Sequence, residues 1–395
     1  MNRNQSRGKS RAELALTAAI AAAPLFATAL ILLSRHPQRA IASVGPALIQ
    51  VVEPVAERES ISAKCLLFPD GIQELAPKTL RVLGLRPVLM HCEPNGTARA
   101  PASLAAALQT VLAVPSERIA IRRMSARNTS YLLLVDTDSM RTELAQESCF
   151  KCVPIAFGSL EHTRYGSAVS RLSKDYKRSK LKHALLNAGL KAAENDAHGA
   201  IVTADLCPTV KPMNRSFFEE VEGLQKKAPV ALSVSGVWMD RHRNDLEWLK
   251  RRVRDGKLDV TWVNHSHHHA FRNDHTTEQN YMLLPKMNIE DEIVENERIM
   301  IENGLTPSVF FRFPALVSDP RLMEAVKNHM LIPLAANAWL AQGQQPHDHS
   351  IILVHANGNE KGGLARFKKL ADEKQLPLPI IPLLDAPRAP NKTSQ

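Results

Sequence analysis

Cysteine, aromatic residues and linker sequence are all scarce in this chain, and each shortage argues something away. Five cysteines occur in 395 residues, an odd number, so complete pairing leaves one thiol over. Only Cys149-Phe-Lys-Cys152 has C-x-x-C spacing, and without a second such pair a four-ligand zinc knuckle is not expected. A structural disulfide in an oxidising compartment is the first reading of these cysteines, and a redox loop the second. Cys207 reads as packing, since no neighbouring cation marks an activated thiol. Aromatic residues make up 5% of the chain. The basic segment 171–182, with six basic residues to one acidic, lacks aromatic interleaving and any groove-reading motif. Nucleic acid is therefore not an expected partner. The segment reads as the solvated face of a helical stretch to about Ala193, with contact to an anionic surface as the other reading. Internal repeats and Gly/Ser-rich linkers are missing, and no Arg-Arg pair precedes the apolar run near the start. A folded-export signal is thus not expected.

What is present is ordinary globular material, 44% apolar and 23% charged with a formal charge of +10, long enough for about two domains. Arg3, Arg7, Lys9 and Arg11 precede twenty uncharged residues, 14–33, which as a helix would span roughly 30 Å, a bilayer core. A basic start before such a run reads as a signal anchor with its amino end inside. The expected placement is inner-membrane anchored with the rest in the periplasm or outside the cell, or secreted if the segment is cleaved. Residues 1–35 are this anchor or signal, 36–60 a tether, and 61–160 a small α/β domain without a catalytic signature. Residues 161–195 read as a basic helical connector, 196–385 as the catalytic domain, and 386–395 as a disordered tail.

In the small domain, strands are expected at 86–90, 119–123, 131–135 and 153–157, with a helix at 103–112. From residue 200 onward the pattern becomes regular. Strands are expected at 200–204, 230–234, 258–263, 308–312, 331–335, 351–354 and 378–382, with helices at 216–226, 243–255, 289–303, 321–327 and 364–373. Repeated strand–helix alternation implies parallel strands with crossover helices, here in a closed or nearly closed barrel of seven strands.

The rim at the carboxyl ends of such strands is where active sites assemble. The residues expected there are Asp205, the run Asn264-His-Ser-His-His-His269, Arg312, Trp339 and His355. His265 and His269 are four apart, so one turn of helix would place both imidazoles on one side. Two imidazoles and a carboxylate, with water in the remaining positions, suit a catalytic zinc or similar divalent ion. Such an ion lowers the pKa of its water towards about 7.

At this point the sequence resembles the polysaccharide deacetylases with a NodB-type catalytic domain, over about residues 196–385. Ile201-Val-Thr-Ala-Asp-Leu-Cys207 is similar to the family's Thr-Phe-Asp-Asp-Gly motif, and Asn264-His-Ser-His-His-His269 to its H-[ST]-x-x-H metal pair. Phe311-Arg-Phe-Pro314 resembles the third motif, Trp339 stands where the fourth has its aromatic wall, and Ile352-Leu-Val-His355 resembles the fifth, L-x-x-H. The resemblance implies a distorted (β/α)7-type barrel that removes acetyl groups, N-acetyl rather than O-acetyl, from a polysaccharide or cell-envelope glycan.

It also implies roles. Asp205 would be the base, Arg312 its orienting partner and His355 the general acid. His265 and His269, with Asp205, would be the metal ligands, and Trp339 and Pro314 would line the substrate. The implied cofactor is a divalent ion, zinc first, with cobalt, nickel or manganese as alternatives. Two departures stand out. The family's second Asp, a metal ligand, is replaced by Leu206, so either Asp205, His267, His268 or a water fills the gap or the site runs with fewer ligands. The aromatic-Gly that often ends the third motif is Ala315-Leu316, which implies an altered groove. Loss of the second Asp makes a membrane-tethered, carbohydrate-binding pseudoenzyme the alternative.

Overall fold

In the computed structural model, residues 65–66, 84–95, 117–126, 128–174, 184–194 and 198–388 are described, and all belong to one compact unit, Ala56–Gln395. The expected anchor at 14–33, the tether at 36–60 and the helix at 103–112 lie outside the described residues. Among the described residues, no helix is long and apolar enough to cross a membrane.

The first five strands are β1 (Gly84–Pro94), β2 (Arg118–Ala126), β3 (Thr129–Asp136), β4 (Thr142–Gln146) and β5 (Phe150–Pro154). They form an antiparallel sheet of order β4-β3-β2-β1-β5. Two disulfides tie it down, Cys65–Cys149 and Cys92–Cys152. The two cysteines of the C-x-x-C segment therefore have separate partners, and the redox-loop reading is set aside. A helix, α1 (Arg164–Leu172), follows, its first turn capped by Thr163 Oγ1, which accepts from the Gly166 amide at 3.0 Å; hydroxyl side chains satisfy the free amides of a first turn. This helix ends at Leu172; of the helical stretch expected to run to about Ala193, residues 175–183 lie outside the described residues and 184–193 are not helical. Residues Leu185–Leu186 form β6, which pairs antiparallel with Val317–Ser318. Asn187 and Gly189 have φ of 55° and 109°, which no right-handed helix accommodates.

The remaining strands are β7 (Ile201–Leu206), β8 (Ala228–Val234), β9 (Leu258–Asn264), β10 (Phe310–Phe311), β11 (Val317–Ser318), β12 (Ile332–Pro333), β13 (Ala338–Trp339) and β14 (Ile351–His355). Seven of them make a curled, open parallel sheet of order β12-β10-β9-β8-β7-β14-β13, the α/β half-barrel of a (β/α)7 fold. The crossover helices are α2 (Arg215–Leu224), α3 (Gly236–Arg241), α4 (Arg243–Arg254), α5 (Asn296–Glu302) and α6 (Pro320–Asn328), with a π-turn at Asp291–Glu295 leading into α5, and α7 (Lys361–Asp372) follows the last strand. The expected strand at 378–382 is absent from the sheet; Ile380 makes only an isolated bridge with Ala200. Pro377, Pro379 and Pro382 lack the amides a ladder needs, and β13 takes the edge position instead.

Strand alternation sorts the two faces. Val202, Ala204 and Leu206 of β7 share a core with Val230, Leu232 and Val234 of β8 and with Phe217 and Phe218 of α2. That is the outer, helix-covered face. Ile201, Ala231, Val263, Ile351 and Leu353 point the other way and share a core with Ile119, Ile121, Leu133 and Val135 of the antiparallel sheet. The antiparallel sheet thus packs on the inner face, the face that also carries Asp205. At the far end, Ala386 is buried, its carbonyl accepting from the Glu194 amide at 2.8 Å, so the tail begins pinned to the body.

Candidate metal centre and active site

In a parallel sheet every strand delivers its carboxyl end to the same rim. Asp205 stands near the end of β7 and His355 ends β14, in register with each other. His265 follows β9, Arg312 follows β10 and Trp339 ends β13.

Asp205 and Arg312 form a buried pair. Arg312 Nη1 donates to Asp205 Oδ1 at 2.8 Å and to Thr203 Oγ1 at 2.7 Å, and Nη2 donates to the Ala335 carbonyl at 3.0 Å. Burial by itself would raise the Asp205 pKa. The Arg312 guanidinium, helped by His265 and His355, overrides it and holds the carboxyl down at about 2. Asp205 is therefore ionised at neutral pH.

His265 Nδ1 lies 2.8 Å from the Arg312 carbonyl. A carbonyl only accepts, so Nδ1 carries the proton and the Nε2 lone pair faces the site. That Nε2 lies 3.7 Å from Asp205 Oδ2 and 3.5 Å from Cys207 Sγ. His269 arrives by a route other than the expected turn of helix. Ser266 and His269 take left-handed φ of 63° and 47°, and Ser266 Oγ accepts from the His269 amide at 3.1 Å. The tight bend brings the two imidazole centroids to 4.8 Å. His269 Nε2 is buried and, among the described residues, has no hydrogen-bond partner.

The donor atoms of Cys207, His265 and His269 all lie within 4.8 Å of one another. Tetrahedral zinc with bonds of roughly 2.0–2.3 Å has donors about 3.3–3.7 Å apart, and the Cys207–His265 separation already falls there. An orphaned imidazole nitrogen, an imidazole with its proton on the far side and a thiol together fit a divalent ion. Burial opposes ionisation of Cys207, yet His269, His355 and His265 bring its thiol well below the ordinary range.

Reading Cys207 as packing is thus corrected. Alternation is the reason: positions 203, 205 and 207 share the inner face, whereas Leu206 points into the helix layer with Ala204. Nor do His267 and His268 fill the gap. His268 Nδ1 lies 2.8 Å from Glu292 Oε1, and the His267 ring packs on Gly236, where a Cβ would come within 2.3 Å of its Nδ1.

His355 is the remaining imidazole of the rim. Its Nδ1 forms an ion pair with Glu360 Oε2 at 2.8 Å, and the same oxygen accepts from Trp339 Nε1 at 2.9 Å. The Trp339 and His355 rings are 6.0 Å apart. Burial would lower the His355 pKa, but Cys207, Glu360 and Asp205 raise it well above the ordinary value. Glu360 had no signal in the sequence: it lies in the loop before α7, in no motif. Pro314 is buried at the start of the turn Pro314–Leu316, where Ala315 and Leu316 have φ of 51° and 58°. It shapes the chain after Arg312, while Asp205, His265, His269, Arg312, Trp339 and His355 gather at the rim.

No protein-family model matches the chain. Among solved structures it is similar to a family 4 carbohydrate esterase from Bacillus anthracis, with 19% identity over 51% of this chain and 87% of that one and a TM-score of 0.36. A family 4 carbohydrate esterase from Streptomyces lividans in complex with acetate has 16% identity over 50% and 98%, with a TM-score of 0.33. A CE4 family pseudoenzyme from Bacillus anthracis has 13% identity over 52% and 70%, with a TM-score of 0.34.

Proposed function

We propose that the chain is a metal-dependent deacetylase that hydrolyses acetamide groups on a polysaccharide or cell-envelope glycan. One observation carries the reading: an ionised, Arg-paired carboxylate, a Cys/His/His donor set and a proton-bearing imidazole meet at one rim of a parallel sheet. The five ordered motif resemblances support the same chemistry. Cys207, His265 and His269 would hold the ion, and the thiolate stands in for the carboxylate absent at position 206. Soft sulfur beside two imidazoles favours zinc over manganese.

A bound divalent ion supplies Lewis acidity, polarising a carbonyl and acidifying water. The other steps belong to side chains. Asp205, fixed by Arg312, takes the proton of the attacking water; a base so placed contributes about 10²–10⁴ in rate. Protonated His355 gives its proton to the leaving amine, and Glu360 holds its ring and favours the charged form. Trp339, tilted at 34° beside His355, walls the space for the acetyl methyl. Two disulfides in the antiparallel sheet and the uncharged run at 14–33 support a location outside the cytoplasm, anchored through that run or secreted if it is cleaved.

The second reading, a glycan-binding pseudoenzyme, rests on Leu206. The purified full chain, assayed for acetate release from N-acetylated chitin-type and cell-wall oligomers with and without chelator, decides between them. Release that chelator abolishes and zinc restores is expected. No release from any oligomer favours the pseudoenzyme. Release indifferent to chelator but blocked by a thiol alkylator would overturn the metal and make Cys207 a nucleophile.

A further inference from the structure

We infer that Arg122 and Glu297 are positioning residues of the proposed metal centre, and that the antiparallel sheet is a brace for the histidine loop. The pair is buried completely, at 0% exposure on both sides. Arg122 Nε and Nη2 donate to Glu297 Oε2 and Oε1 at 2.6 and 2.9 Å, and Nη1 donates to the Ile121 carbonyl at 2.8 Å. A bulge in β2 aims the arginine: its register with β3 slips between Ala120 and Arg122. Ile119 and Met124, five positions apart, consequently share one core, which unbroken alternation forbids. Bulges re-aim side chains in this way.

Glu297 sits in α5, and the segment from the π-turn into α5 holds the loop that carries His265 and His269. Asn296 Nδ2 donates to Asn264 Oδ1 at 2.7 Å and to the Val234 carbonyl at 2.9 Å. Asn264 Nδ2 donates to the Ile293 carbonyl at 2.9 Å, and Asn264 Oδ1 accepts from the Ser266 amide at 3.1 Å. The Glu292 carbonyl accepts from the His267 amide at 2.9 Å, and Glu292 Oε2 accepts from the His268 amide at 3.0 Å. This segment holds Asn264, His267 and His268 of the bend at 264–269, while Val234, Gly236, Val237 and Arg312 hold His265, Ser266 and the backbone beside them, and the antiparallel sheet grips the segment through a bidentate ion pair. Outer-shell contacts of this kind set metal affinity as well as stability.

The consequence for zinc rests on the proposed metal site; the consequence for the loop does not. The test uses the full chain with both charges replaced, Arg122→Met with Glu297→Met, since an apolar pair of similar volume avoids a stranded buried charge. Hydrogen exchange is followed in peptides covering 264–269 and 351–355, and zinc affinity by competition with a chelating dye. Exchange in 264–269 is expected to speed up about tenfold, with 351–355 unchanged, and zinc affinity to fall about tenfold. Asn296→Ala, which cuts the relay but leaves the ion pair, is expected to give the same pattern. Unchanged exchange in 264–269 in either folded variant, or equal acceleration in both peptides, would overturn the inference. A wild-type chain that binds no zinc would instead count against the metal site, and the exchange comparison would still decide the brace.

Discussion

Replacing Arg312 by Met tests how the proposed base is held. The guanidinium is fully buried and its two terminal nitrogens make bonds to Asp205, Thr203 and the Ala335 carbonyl. Methionine keeps the stem and deletes the fork, leaving a buried carboxylate alone. Asp205 in the native state has its pKa lowered from 3.8 to about 2. At about 1.4 kcal/mol per unit, that is roughly 2 kcal/mol of stability, present above the unfolded value and lost as pH falls through 2. Losing one partner of a buried pair costs more, about 3–5 kcal/mol, because burial is then opposed only by His265 and His355 and the Asp205 pKa rises. Protonation of Asp205 therefore moves to higher pH in the variant. Between pH 7 and pH 4.5 the variant should regain part of its deficit relative to wild type, as Asp205 takes up a proton. Urea unfolding followed by tryptophan fluorescence at both pH values measures this, and the acid limb of the acetate-release profile should move to higher pH. A variant with the wild-type midpoint at pH 7 and an unmoved acid limb would refute the pairing argument.

Other outcomes follow from the same geometry. Cys207→Ala should lower zinc affinity by at least about 10–100-fold, whereas Cys207→Asp, which restores an oxygen donor, should keep the ion; elemental analysis after dialysis reads both. Asp205→Asn and His355→Ala should each cut turnover by about 10²–10⁴ with unchanged circular dichroism, and near-native acetate release from either would refute its role. Glu360→Gln removes one of the influences that raise His355, so the basic limb of the pH–rate profile should shift to lower pH; a limb that stays in place would free Glu360 from that role. Cys92→Ser, which opens the Cys92–Cys152 bridge, should cost about 2–5 kcal/mol in urea unfolding; an unchanged midpoint would mean that the bridge adds nothing.

Much of the parallel half was legible, because fully buried strands read as apolar runs closed by a polar residue at the rim. β7, β8, β9 and β14 lie where those runs predict, and Asp205, His265 and His355 at or just beyond their ends follow directly. The seventh strand lies away from where composition puts it, because 378–382 has the composition of a strand but too few amides, whereas Ala338–Trp339 pairs through only two residues. Cys207 was within reach of the same reasoning: alternation from Asp205 puts it on the inner face, a signal that outweighs the absence of a nearby cation in sequence. The bend that converges His265 and His269 was not legible, since left-handed φ at Ser266 and His269 has no compositional mark. Arg122 could not be found either. A basic residue inside an apolar strand means little until the bulge that turns it and the distant Glu297 that meets it are both known.

The most direct measurement is an optical titration of the zinc-free chain with cobalt(II). One equivalent should bind and produce an intense near-ultraviolet thiolate-to-cobalt charge-transfer band that Cys207→Ser abolishes. A chain that takes up no cobalt, or binds it with a spectrum indifferent to Cys207→Ser, would contradict the Cys207–His265–His269 centre.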